Sequence, residues 1–169
     1  IRKQIEAGDI TLDDIYSVHP FGNTMCVIRV TGQQVLDALE WGARAVPSES
    51  GGFLQVSGLT YEIHTGVASS AEKDENGMFT RVSGEYRVKN VMVGGQPLEL
   101  DKTYTLASHN YMLLGHGDGY TMFDGCEVLG EDMMVDNQVL ITYITTTLGG
   151  VVGEQYANPY GDGRIVAVE

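Results

Sequence analysis

Between Thr24 and Val46 the chain passes from strand to helix with no connecting loop. Thr24 to Val30 reads TMCVIRV, a β-branched, apolar run of the kind that forms a mostly buried strand. Thr31-Gly-Gln-Gln34 follows at once and has the form of a capping box. The threonine hydroxyl can accept a free amide of the first turn while the Gln34 side chain reaches back to the cap. Behind it Val35, Leu36, Leu39, Ala43 and Val46 recur at helical spacing, which predicts a helix from Gly32 to Val46.

The remaining segments fit the same plan. Thr11-Leu-Asp-Asp14 predicts a short capped helix to about Val18, ended by His19-Pro20. Phe53 to Ile63 alternates on either side of Gly58 and predicts a strand bent there. Thr65 to Ser83 is polar, with a turn at Lys73 to Gly77. Tyr86 to Val93 resumes strand character, Gly94-Gly95 turns it, and Pro97 to Ala107 supplies one or two more strands. Asp132 or Asp136 can cap a further helix with Val139, Leu140, Tyr143 and Ile144 on one face and Gly149-Gly150 as its stop. Arg164 to Val168 is a last short strand. The expectation is one α+β domain, a mixed β-sheet with packed helices, without internal repeats.

Charge narrows the function. Ten Lys and Arg stand against 23 Asp and Glu, a formal charge of -13. A field of that sign repels nucleic-acid polymers and anionic lipid, yet leaves room for one small anion held by one or two arginines. No apolar run approaches the roughly 18 residues of a membrane span. The chain begins at Ile1, and Ile1 to Ile10 have neither the basic nor the apolar stretch of a signal peptide, so it reads as a piece of something longer. Cys26 and Cys126 stand a hundred positions apart outside any C-x-x-C pair. They read first as small buried hydrophobes, with a single disulfide as the alternative.

Hydrolytic motifs are absent from the sequence: His19, His64, His109 and His116 stand in no H-E-x-x-H or G-x-S-x-G context. His116 and Asp118 are two apart in the cluster Gly115-His-Gly-Asp-Gly119, too few for a metal site, and read as turn residues in that respect. Asp74-Glu-Asn-Gly77 echoes a calcium loop without its alternating ligands and reads as a hairpin turn. Asp13-Asp14 and Glu131-Asp132 read as acidic caps at helix starts.

Four residues carry more. Phe21, in Pro20-Phe21-Gly22-Asn23, is a large aromatic on a loop before a buried strand; on composition a core plug is the more frequent role. Tyr111 precedes the glycine cluster and can offer a flat face to a ring. Asp118, between two glycines, can accept two hydrogen bonds from a diol. Arg2 can single out an anion.

In order along the chain, Ile1-Arg2, Gly8-Asp-Ile-Thr11, Pro20-Phe21-Gly22-Asn23, Thr31-Gly32, Phe53-Leu-Gln-Val-Ser-Gly58, Gly117-Asp-Gly-Tyr120 and Gly163-Arg-Ile165 resemble the C-terminal domain of the 5'-nucleotidases. The resemblance implies that Phe21 and Tyr111 sandwich a nucleobase, Asp118 holds the ribose hydroxyls and Arg2 meets the phosphate. The stretch Tyr111 to Asp118 is one residue longer than the family's usual spacing, and Tyr120 is the substitute ring if Tyr111 points inward. Phe53 belongs to the core. The resemblance further implies an N-terminal metallophosphoesterase domain with two divalent metal ions, whose D-x-H and G-N-H-E motifs are not in these residues. The present chain then has no catalytic residue, metal or cofactor of its own. Its partners are a nucleoside 5'-phosphate or nucleoside and that domain, and its location is extracellular or at the cell surface. The alternatives are a stand-alone nucleoside- or sugar-binding module, the same domain in a cyclic-nucleotide phosphodiesterase or nucleotide-sugar hydrolase, and an architectural domain with a decayed pocket.

Overall fold

Both predicted helix starts are capped, each by a capping box. Thr11 Oγ1 accepts from the Asp14 amide, and the Asp14 carboxylate accepts from the Thr11 amide, starting α1 (Leu12–Val18). Thr31 and Gln34 repeat the arrangement at α2 (Gly32–Ala43), which follows β1 (Met25–Thr31) without a gap. The computed structural model describes residues 2–158 and 161–169.

The chain continues through β2 (Leu59–His64), β3 (Ala71–Lys73), β4 (Phe79–Val82), β5 (Val88–Val93), β6 (Gln96–Pro97) and β7 (Thr103–His109). It then forms a one-turn helix α3 (Asn110–Leu113), β8 (Glu127–Gly130), α4 (Asp136–Thr142) and β9 (Ile165–Val168). The strands divide into three sheets, in the orders β7-β1-β8, β6-β5-β2-β9 and β3-β4. The four-stranded sheet is the mixed one, because β9 runs parallel to β2 while β5 is antiparallel to it. The fold class is α+β.

The core lies where α2 meets these sheets. β1 turns Cys26, Ile28 and Val30 inward; α2 adds Val35, Ala38, Leu39 and Trp41. The Trp41 ring meets Phe79 edge-on at 5.7 Å. Two amides of the first turn of α2 find partners beyond the helix, Gly32 N–H on the Lys102 carbonyl and Gln33 N–H on that of Leu100, both at 2.9 Å. Glu40 is fully buried in α2 and accepts from the Val88 amide at 2.9 Å, while burial pushes its carboxyl above the usual glutamate range.

Several expectations change. Residues 53–58 are irregular, and the strand begins only at Leu59, because Gly58 sits at φ +78 and breaks the extended run. The second predicted helix stops at Ala43, and Val46 lies in the turns beyond it. The polar stretch around Lys73 holds the β3-β4 hairpin, its turn fixed by Asp74 Oδ1 accepting from the Asn76 and Met78 amides. Asp132 starts no helix: it lies at φ +51 and accepts from Thr24 Oγ1 at 2.7 Å. Asp136 opens α4, which continues into a π-helical turn at Tyr143–Thr147 with no buried residue in either piece. Cys26 and Cys126 are both free thiols; Cys26 is buried and Cys126 accepts from Gln34 Nε2 at 3.3 Å.

Candidate functional site

β1 and β7 pair antiparallel with Met25 opposite His109, so the segment entering β1 and the segment leaving β7 emerge side by side. Phe21 is on the first and Tyr111 on the second. Asn110 ties them together: its amide donates to the Thr24 carbonyl at 2.8 Å, and its Oδ1 accepts from the Thr24 amide at 3.1 Å. The Asn23 carbonyl accepts in turn from the Asp136 amide at 2.8 Å, which fixes the loop from the α4 side.

Phe21 is not a core plug. It is 59% exposed, on a turn that Gly22 completes at φ +65, a conformation a side chain would strain. The Arg2 guanidinium stands 5.0 Å from its ring centroid, and the Arg2 amide donates to the Val18 carbonyl at 3.2 Å. A cation over an exposed ring contributes about 0.5–1 kcal/mol, enough to orient both groups without burying either. Ile1, grouped with Arg2 in the sequence, lies outside the described residues.

Tyr111 is 48% exposed and Tyr120, the substitute ring, only 1%. Tyr120 turns inward, stacks near Phe123 and donates its hydroxyl to the Gly52 carbonyl; burial raises its pKa. Tyr111 rests instead on the glycine loop, where a Cβ at Gly117 would lie 2.2 Å from its ring. On its other neighbour, His109, the ring centroids are 6.0 Å apart and the planes 27° from parallel. Of the two tyrosines, Tyr111 is thus the one available to a ligand.

Asp118 is exposed in a 3-10 turn spanning Gly117–Gly119, at φ +54, and His116 before it is also at φ +54. Two non-glycine residues in the left-handed region cost on the order of 1 kcal/mol each and persist only where neighbours hold them. Here the Trp41 indole N–H donates to the Asp118 carbonyl at 2.9 Å, and the Gly119 amide to the His116 carbonyl at 3.0 Å. The core helix therefore aims the loop and leaves the carboxylate outside. Gly52 faces it, since a Cβ there would stand 3.1 Å from the Asp118 Cβ.

The structure brings Arg2 to Phe21 and places Tyr111 against the glycine loop that carries Asp118, the two groups being joined through Thr24 and Asn110. Sequence reasoning missed Gly52, His109 and Asn110. The Gly51-Gly52 pair was a readable signal of close approach; His109 and Asn110 look like ordinary strand-end residues. Among the described residues no group of three or more His, Cys, Asp or Glu is placed to hold a metal ion. His116 Nε2 stands 3.7 Å from an Asp124 carboxylate oxygen and adds no further ligand.

Known proteins resemble this chain in sequence and fold. A family profile described as 5'-nucleotidase, C-terminal domain, matches residues 1–125. A trifunctional nucleotide phosphoesterase of Bacillus subtilis is 33% identical over 99% of the chain, which spans 10% of that protein. A 5'-nucleotidase of Vibrio parahaemolyticus is 33% identical over 85% of the chain and 22% of its own length. The crystal structure of a 5'-nucleotidase precursor from Thermus thermophilus superposes with a TM-score of 0.78 at 31% identity, covering 99% of this chain and 30% of that one. The fold alone is shared with a Thermus thermophilus sulfate thiohydrolase, TM-score 0.59 at 20% identity, covering 94% of this chain and 25% of that one. With its exposed Phe21 loop and glycine turn in place and the profile running across both, this chain belongs to the 5'-nucleotidase C-terminal domain family.

Proposed function

We propose that residues 1–169 form the nucleotide-recognition domain of a metal-dependent 5'-nucleotidase that releases nucleoside and phosphate from nucleoside 5'-phosphates. The base lies against Phe21 and Tyr111, Asp118 accepts from the ribose hydroxyls, and Arg2 meets the phosphate. The observation that carries this reading is the exposure of Phe21 and Tyr111 at one end of the β1-β7 pair. Exposed rings held by backbone ties lose little freedom on binding, and a base stacked on such a ring gains about 1–3 kcal/mol.

Catalysis belongs to a partner, an N-terminal metallophosphoesterase domain carrying two divalent metal ions, which lower the pKa of a bound water for attack on phosphorus. This chain contributes binding and orientation. The solved Thermus thermophilus relative is a 5'-nucleotidase precursor, which supports an extracellular or cell-surface location. No helix among the described residues is long and apolar enough to cross a membrane. A second reading, the same domain in an enzyme with a wider range of phosphoesters, is favoured by the trifunctional Bacillus subtilis relative.

In the full-length enzyme Phe21→Ala raises KM for AMP about tenfold or more and leaves kcat within a factor of a few. Unchanged kinetics in a folded variant would remove Phe21 from the site.

A further inference from the structure

Among the described residues, His109 is a ring beside Tyr111 that can change its charge near neutral pH, and its geometry makes the neutral form part of the structure. It is the N-cap of α3, the single turn that carries Tyr111. Its Nδ1 accepts the Met112 amide at 3.3 Å, so that nitrogen must carry a lone pair, and the proton of the neutral ring sits on Nε2. A proton added to Nδ1 turns an acceptor into a donor facing a donor and abolishes the cap. The same imidazole lies alongside the Tyr111 ring, which also rests on Gly117. Loss of the cap thus frees both the turn and the ring.

We infer that His109 is a positioning residue which, while neutral, fixes the Tyr111 ring beside Gly117, and which on protonation releases it and thereby weakens nucleoside binding. The second half rests on the base-recognition role proposed above; the first half does not.

The charged surroundings are consistent with a switch below neutrality. Burial is the largest influence and holds His109 below the ordinary histidine range. Asp136 from α4 and Asp118 from the glycine loop favour the proton, whereas His19 at the end of α1 opposes it. His19 Nδ1 itself stands 3.9 Å from an Asp136 carboxylate oxygen. Because the folded value is depressed, the cap is present above the ordinary value near 6.5 and is lost as pH falls through the lower folded value.

The test has two arms on the same sample. In the ligand-free chain, NMR follows the His109 ring, the Met112 amide and the nuclear Overhauser contact between the Tyr111 ring and Gly117 from about pH 7.5 to about pH 5. The expected result is faster Met112 amide exchange and a weakened Tyr111–Gly117 contact, both with the midpoint of His109. A His109 titration that leaves both unchanged would overturn the inference, and this arm needs no variant. In the second arm inosine, whose base does not titrate in this range, is the probe. Its Kd rises about fivefold or more toward acid pH in the natural chain, and stays level in His109→Asn, which keeps a cap acceptor but cannot titrate. An equal pH dependence in His109→Asn would also overturn it. Coupled His109 and Tyr111 signals with no inosine binding at any pH would instead overturn base recognition while leaving the positioning role in place.

Discussion

Tyr111 and Tyr120 lie within one loop region and end in opposite environments. Tyr120 is buried in one core cluster with Trp41, Phe79 and Phe123, stacks near Phe123, and gives its hydroxyl to the Gly52 carbonyl. Around Tyr111 and Phe21 the rings are about half exposed and are held by backbone ties and by small or charged neighbours. The buried region supplies rigidity and the exposed one supplies surface. Trp41 connects them, since its ring is core while its N–H fixes the Asp118 carbonyl. The face proposed for recognition rests on a strained turn that the core pins, which limits its movement.

Truncating the connecting residue gives the largest expected effect. Trp41→Ala removes a fully buried ring and the tie to Asp118, and costs about 3–5 kcal/mol of stability, measured by urea unfolding. A loss below about 1 kcal/mol would mean that the loop is not pinned by the core.

A more selective change separates surface from scaffold. Gly117→Ala puts a methyl group where the Tyr111 ring now lies, only 2.2 Å away, and the ring is the part free to move. Nucleoside affinity falls by about 1 kcal/mol or more, while the unfolding midpoint shifts little. If affinity is kept, Tyr111 is not a stacking face.

The smallest effect concerns Glu40, on the scaffold side. Its carboxyl keeps a proton longer in the folded state than in the unfolded chain, so it favours folding most at acid pH and less as pH rises through its raised value. The half-buried carboxylates Glu62 and Glu72, whose partners hold them below the usual range, act in the opposite sense, but equally in any variant. Glu40→Gln therefore flattens the decline in stability between about pH 5 and pH 7 relative to the natural chain, by urea midpoints at both. Equal slopes would show that Glu40 ionises as easily folded as unfolded.

How much of this was legible depends on how local the cause is. The two capping boxes involve residues three apart, and both were readable at Thr11 and Thr31. The Phe53 to Ile63 alternation misled, because a strand needs a partner as well as a pattern, and residues 53–58 are irregular. The π-helical turn after α4 carries no recognisable signal in Tyr143 to Thr147. Phe21, Tyr111, Asp118 and Arg2 could be named from order along the chain, but the choice between Tyr111 and Tyr120 could not. Tyr120 turns inward because Trp41 and Gly52 reach the loop from distant parts of the sequence, with Phe123, three residues on, stacked near its ring. His109 also acts locally, three residues from the Met112 amide it accepts, but histidine is not among the usual cap residues and so gave no signal.

The most direct measurement is a ligand-observed NMR titration of the chain with adenosine and AMP, repeated with Phe21→Ala. Saturable binding in the millimolar range or tighter, weakened about tenfold or more in a variant whose unfolding midpoint is unchanged, is the result expected of a base-recognition face. Binding of equal strength in Phe21→Ala would contradict it and place the nucleoside elsewhere on the domain.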